Sequence, residues 1–110
     1  MTRTKKDVLQ GTLDMLILRV LIRGPMHGYG IGLRIEEVSR EALRVEEGSL
    51  YPALHRMEQE GWIRATWGTS ENNRRAKFYE ITPQGERQLE IEDEQWNRLT
   101  AAVRQVMRFA

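Results

Sequence analysis

The 110-residue sequence predicts a mainly α-helical chain with one small β-hairpin, an α+β class. Three observations predict it. Apolar residues recur with helical spacing in separate stretches along the chain. Two segments rich in aromatic and β-branched residues, 62–67 and 74–82, are separated only by polar turn residues. A final stretch repeats Leu89, Trp96 and Val103 every seven positions, the period of a helical seam.

The first helix is expected over residues 7–23. Leu13, Leu16, Ile17, Val20 and Leu21 there form one broad apolar face, and Gly24-Pro25 stops it. His27-Gly28-Tyr29-Gly30 reads as a turn. Residues 29–39 admit two readings. Tyr29, Ile31, Leu33 and Ile35 alternate as in a strand, whereas Ile31, Ile35 and Val38 fit a helix. Glu36-Glu37 and the short distance to the next helix favour the helix. Gly30 and Gly32, at a cost of about 1 kcal/mol each, would then let two helices approach closely. Residues 40–47 connect, with a short extended piece expected at Leu43-Arg44-Val45.

Residues 47–61 form the next helix. Gly48 or Ser49 is the expected N-cap, Pro52 is expected in the first turn, and Gly61 stops it. Leu50, Ala53, Leu54 and Met57 make its apolar stripe. The other side carries Tyr51, Pro52, His55, Arg56 and Gln59, a face with one aromatic ring, one fixed cation and several hydrogen-bonding groups. Such a short helix can enter a DNA major groove, about 12 Å wide. The hairpin follows, its turn at Gly68-Thr69-Ser70-Glu71-Asn72-Asn73 and its return limb opening on Arg74, Arg75 and Lys77. Thr82 then caps and Pro83 begins a helix that can run to about residue 108. Leu89, Trp96, Leu99, Val103 and Val106 mark its seam, and Glu92 fills one slot poorly. A helix of that length cannot bury its seam on so small a domain, so a partner helix is expected, most simply from a second copy.

Composition excludes several classes. There is no Cys, so no disulfide framework and no thiolate metal site. With only His27 and His55, a metal centre would need carboxylates at unrelated positions, and no metal or cofactor is expected. No nucleophile has a base nearby, and Gly28-Tyr29-Gly30-Ile31-Gly32 lacks the preceding strand of a nucleotide-binding loop, so an enzyme is not expected. The basic N-terminus is followed by an apolar stretch broken by Asp14 and Arg19, which fits neither a signal peptide nor a membrane span; the cytoplasm is the expected location. Net charge is only +1, but its distribution is uneven. Residues 64–77 set Arg64, Arg74, Arg75 and Lys77 against Glu71, whereas residues 86–94 set Glu86, Glu90, Glu92, Asp93 and Glu94 against Arg87. Separate tasks for the two regions follow.

Three helices, a hairpin and a long helix is the order of a winged helix-turn-helix with a dimerisation helix appended. The expected division is residues 1–82 for the DNA-binding domain and 83–110 for the dimerisation helix. The sequence also resembles a known family. Leu9-Gln10-Gly11-Thr12-Leu13-Asp14, Gly24-Pro25-Met26-His27-Gly28-Tyr29, Glu47-Gly48-Ser49-Leu50-Tyr51-Pro52-Ala53-Leu54 and Arg74-Arg75-Ala76-Lys77-Phe78-Tyr79-Glu80-Ile81-Thr82-Pro83 closely resemble the PadR family of bacterial transcriptional regulators, in that family's order and spacing. The chain looks like the short subfamily with a single C-terminal helix. The resemblance implies a homodimeric repressor on an inverted-repeat operator, with the helix at 49–60 in the major groove and the hairpin as a wing on the adjacent backbone or minor groove. It also implies release by aromatic or drug-like ligands, with Trp96 at the place where some members stack a ligand between subunits.

The candidate DNA contacts are therefore Ser49, Tyr51, Pro52, His55, Arg56, Asn73, Arg74, Arg75 and Lys77. Tyr51 has two readings, a phosphate or thymine-methyl contact or packing on the preceding helix. Arg56 either reaches DNA or pairs with Glu60 one turn on. His55 is the weaker candidate. Alternation puts Arg75 and Lys77 on one face of their strand, with Ala76 and Phe78 on the other. Trp62 and Trp67, five apart, point to opposite faces, so at least one should pack on the helices or a partner. Trp96, with Leu89, Leu99, Val103 and Val106, either fills a dimer interface or forms a ligand platform. Two other functions remain open, a winged-helix dimer serving as a protein-interaction module and a constitutive repressor without ligand.

Overall fold

The computed structural model describes residues 12–110. Its order is α1 (Leu13–Leu21), β1 (Met26–His27), α2 (Gly28–Val38), α3 (Glu47–Gln59), β2 (Ile63–Thr69), β3 (Arg75–Ile81) and α4 (Pro83–Met107). The strands form one antiparallel sheet in the order β1-β3-β2. The first turns expected for the opening helix, and the Leu9-Gln10-Gly11 part of the motif, lie outside the described residues.

The core forms where three helical stripes and the inner face of the hairpin meet. Leu13, Ile17, Leu18 and Leu21 of α1 pack with Ile31 and Ile35 of α2, with Leu50, Ala53, Leu54 and Met57 of α3, and with Ile63 and Tyr79 of the hairpin. Helix is the form residues 29–39 take, and the glycines explain the spacing. A Cβ on Gly32 would stand 3.4 Å from the Leu50 side chain and 3.7 Å from Val45, so α3 and the loop before it close in on that face.

Three local expectations fail for physical reasons. The turn expected at 27–30 is instead the end of the two-residue strand β1, in which Met26 pairs with Tyr79 and His27 with Phe78, followed directly by the first turn of α2. It is too short to carry a period in sequence. His27 then caps α2, its Nδ1 accepting from the Gly30 N–H at 3.1 Å. The extended piece expected at 43–45 is not a strand; Val45 N–H is held by the Glu36 carboxylate at 2.9 Å. Finally, α3 starts at Glu47 with Glu46 as N-cap, not Gly48 or Ser49, so Pro52 falls in the second turn, inside the helix. Its missing N–H leaves the Gly48 carbonyl without an intrahelical donor. Gly48 is exposed, so water can serve that carbonyl.

The hairpin is longer and its turn tighter than the sequence suggests. Pairing runs from Ile63–Ile81 to Thr69–Arg75. Ser70 N–H donates to the Arg74 carbonyl at 2.7 Å and closes the turn. Asn73 adopts φ 59°, a left-handed conformation that Asn tolerates well. Thr82 caps α4 as expected: its hydroxyl accepts from Gly85 N–H at 3.1 Å and donates to the Gly61 carbonyl at 2.6 Å. A Cβ on Gly85 would collide with the Trp62 carbonyl oxygen, so this joint needs glycine.

Candidate nucleic-acid interface

Helix α3 presents its apolar stripe inward, which leaves Tyr51, Pro52, His55 and Arg56 exposed on the other side, with Ser49 half-buried. Tyr51 packs on the preceding helix and still keeps an outward face. A Cβ on Gly28 would lie 2.7 Å from the Tyr51 ring, so the phenol rests on the start of α2, yet the residue stays 42 % exposed. Partial burial, and then the neighbouring Glu47 carboxylate, raise its pKa above the usual phenol value. The hydroxyl therefore stays protonated and able to donate.

Arg56 corrects one of its two readings: it does not pair with Glu60. Its two terminal nitrogens grip Asp14 of α1, at 2.8 and 2.6 Å. The hydrogen bond to Asp14 raises the guanidinium pKa further. The pair ties the candidate recognition helix to α1. No local signal could reveal it, because the partners lie 42 positions apart.

The hairpin keeps the expected alternation. Ile63, Ala65, Trp67 and Thr69 share a face with Arg75, Lys77, Tyr79 and Ile81. The inner end of that face is core; the outer end runs beside α3, where Lys77 Nζ meets Glu58 at 3.3 Å. Burial raises the Tyr79 pKa, although the Lys77 ammonium, 5.7 Å from the ring centroid, pulls the other way. The Tyr79 phenol is thus kept neutral where the hairpin meets the helices. Trp62 packs against the core, whereas Trp67 is 60 % exposed and lies under the Arg75 guanidinium, whose carbon sits 4.7 Å from the ring centroid. Arg64 is neutralised by Glu80 across the hairpin at 2.8 Å. Arg74 and Asn73 are exposed at the tip. Between the tip and α2 runs an open groove lined by Tyr29, Leu33, Arg34, Asn72, Arg74 and Arg75. Tyr29, 56 % exposed, was not singled out by its spacing, because a strand reading and a helix reading put it on different faces.

Helix α4 leaves the domain with its apolar side uncovered. Leu89, expected on the shared seam, is half-buried against the core of its own chain. The uncovered stripe begins farther along the helix and holds Trp96, Leu99, Val103 and Val106. Trp96 also lines a groove with Met15 of α1 and Gln88, Glu92 and Leu99 of α4.

A three-helix domain with a hairpin beside its third helix is a winged helix-turn-helix, and comparison with known proteins agrees. The model of the Transcriptional regulator PadR-like family matches residues 17–91. The chain belongs to that family. PadR-like proteins are DNA-binding transcriptional regulators, not enzymes. A transcriptional regulator from Clostridium thermocellum is similar at a TM-score of 0.82 and 32 % identity, over 90 % of this chain and 96 % of that one. A PadR family regulator from Eggerthella lenta is similar at a TM-score of 0.79 and 28 % identity, over 94 % of this chain and 88 % of that one. An uncharacterised protein from Lysinibacillus sphaericus is 28 % identical over 84 % of each chain. Among the described residues of this PadR-like chain, no helix is long and apolar enough to cross a membrane.

Proposed function

We propose that this PadR-like regulator is a homodimeric repressor that binds an inverted-repeat operator in the cytoplasm and is released by a small aromatic or drug-like ligand. The observation that carries the reading is the stripe of Trp96, Leu99, Val103 and Val106, all exposed on a helix whose other exposed positions are mostly polar or charged. A second copy would cover it. The charges favour an antiparallel mate, since Glu86, Glu90, Asp93 and Glu94 lie in the first half of α4 and Arg98, Arg104 and Arg108 in the second half and at its end. Residues 83–110 are then the dimerisation element and residues 1–82 the DNA-binding one.

A two-fold dimer requires a two-fold operator. Its recognition helices must reach successive major grooves about 34 Å apart on one face of the duplex. Ser49, Tyr51, Pro52 and His55 would face the bases, while Asn73, Arg74, Arg75 and Lys77 would approach the backbone beside them. A ligand lodged between the long helices at Trp96 would favour dimers of a different spacing and so lower operator affinity.

The test is binding to a library of inverted-repeat duplexes across a salt series. Arg56 and Lys77 already have carboxylate partners, so the steep charge term falls mainly on Arg74 and Arg75 of each protomer. Four cations per dimer brought onto the DNA predict a slope of log affinity on log salt of about −3.6. A slope near zero, or no sequence preference at low salt, would sink the reading.

A further inference from the structure

Most cations near the hairpin are neutralised by a carboxylate of the same chain: Arg56 by Asp14, Arg64 by Glu80, Lys77 by Glu58 and Arg34 by Glu37. Arg75 is different. Among the described residues it has no carboxylate partner, yet its guanidinium is held against the face of Trp67 at 4.7 Å. The two are diagonal neighbours across the hairpin, since Trp67 pairs with Lys77 and Thr69 with Arg75. Trp67 lies outside the core and is 60 % exposed. It thus holds a large aromatic surface in water, and the ring contact it makes is with that cation.

We propose that Trp67 is a positioning residue that presents Arg75 to the DNA minor groove, making this chain selective for A·T-rich base pairs flanking each half-site. The inference rests on the operator-binding reading above and adds a specificity to it. Three facts support it. The face that bears Trp67 and Arg75 is continuous with the one that meets α3 through Lys77 and Glu58, so the pair sits on the recognition-helix side of the wing. A guanidinium stacked on indole keeps its full charge but has already lost much of its rotamer freedom, so less is lost on docking. Stretches of A·T pairs narrow the minor groove and deepen its negative potential, which a weakly hydrated guanidinium enters more readily than an ammonium does. Arg74, beside it in the turn, makes no ring contact among the described residues.

The experiment uses the full chain and one duplex selected from the inverted-repeat library, made with either A-tract or G·C flanks. Wild type is expected to prefer the A-tract version by roughly fivefold, because the narrower minor groove holds the guanidinium in a deeper negative potential. Trp67→Ala removes that preference while leaving the salt slope unchanged, because the Arg75 charge remains. Trp67→Tyr retains most of it. Arg75→Ala removes the preference and flattens the slope by about 1.8 for two protomers. Equal binding of both flanks by wild type overturns the proposal, as does a Trp67→Ala variant that keeps the preference or weakens both duplexes alike. Thermal melting of the variants, expected within a degree or two of wild type for so exposed a side chain, separates a folding defect from a change in readout. Should wild type bind neither duplex at low salt, the operator reading falls, and this one with it.

Discussion

Two regions of this chain treat their apolar residues in opposite ways. Between Leu13 and Tyr79 most of the large stripe residues are buried in one cluster within the chain. Along α4, Leu99, Val103 and Val106 have the same residue types at the same helical spacing, yet each is more than half exposed. Periodicity therefore says which face of a helix wants cover; it does not say whether the cover comes from the same chain. The difference is between a region that covers its own apolar stripes and a helix whose stripe is exposed in the single chain.

The largest expected effect breaks the comparison at its buried side. Ile17 is fully buried at the centre of the cluster. Ile17→Ala should destabilise the fold by about 3 kcal/mol, from lost transfer energy plus a cavity. Measured by urea unfolding, Val103→Ala should cost far less at protein concentrations where the chain is monomeric. Equal losses at the two sites would mean that Val103 has cover within its own chain.

The next effect belongs to the exposed side. Leu99→Glu with Val103→Glu places four carboxylates into a two-fold interface. Dimer affinity should fall at least a hundredfold, about 2.7 kcal/mol, while the monomer fold and its circular dichroism stay intact. Sedimentation across concentration reads this directly. An unchanged association state would show that the stripe serves some other surface.

How much of this was legible in the sequence follows the same division. The four helices, the hairpin and the Thr82-Pro83 start of α4 are local signals, carried by caps, turn residues and period. The start of α3 was a local miss, and most of what else escaped depends on residues distant in the chain. Strand β1 exists because Met26 and His27 meet Tyr79 and Phe78. Leu89 turns inward because the core lies beneath the first turns of α4, a fact about three dimensions. Arg56 finds Asp14 for the same reason. In the candidate interface, alternation correctly placed Arg75 with Lys77, but the stack of Arg75 on Trp67 needs the hairpin register, which the turn at 70–74 sets.

A smaller effect tests how the self-covered region supports the candidate interface. Gly28 is buried beneath the Tyr51 ring. In Gly28→Ala the new Cβ, 2.7 Å from a ring carbon, pushes the phenol outward. Tyr51 is exposed enough to swing, and alanine is the better helix former, so stability should change by no more than about 1 kcal/mol. Operator affinity should drop about tenfold, the scale of one mispositioned contact. Wild-type affinity in this variant would mean that Tyr51 packs on α2 and does nothing more.

The smallest effect concerns the tie between α1 and α3. The Arg56 and Asp14 side chains are 53 % and 22 % exposed, so solvent screens their attraction. A double-mutant cycle over Arg56→Ala and Asp14→Ala should give a coupling of only about 0.5–1 kcal/mol in stability. The more informative reading is the same cycle in operator affinity. Asp14 neighbours Met15, which lines the groove beside Trp96. An ion pair that merely stabilises the fold lowers both quantities together. One that sets the angle of α3 against α1 leaves a coupling in DNA affinity larger than that in stability, because α3 is then free to rotate on a core that is still folded.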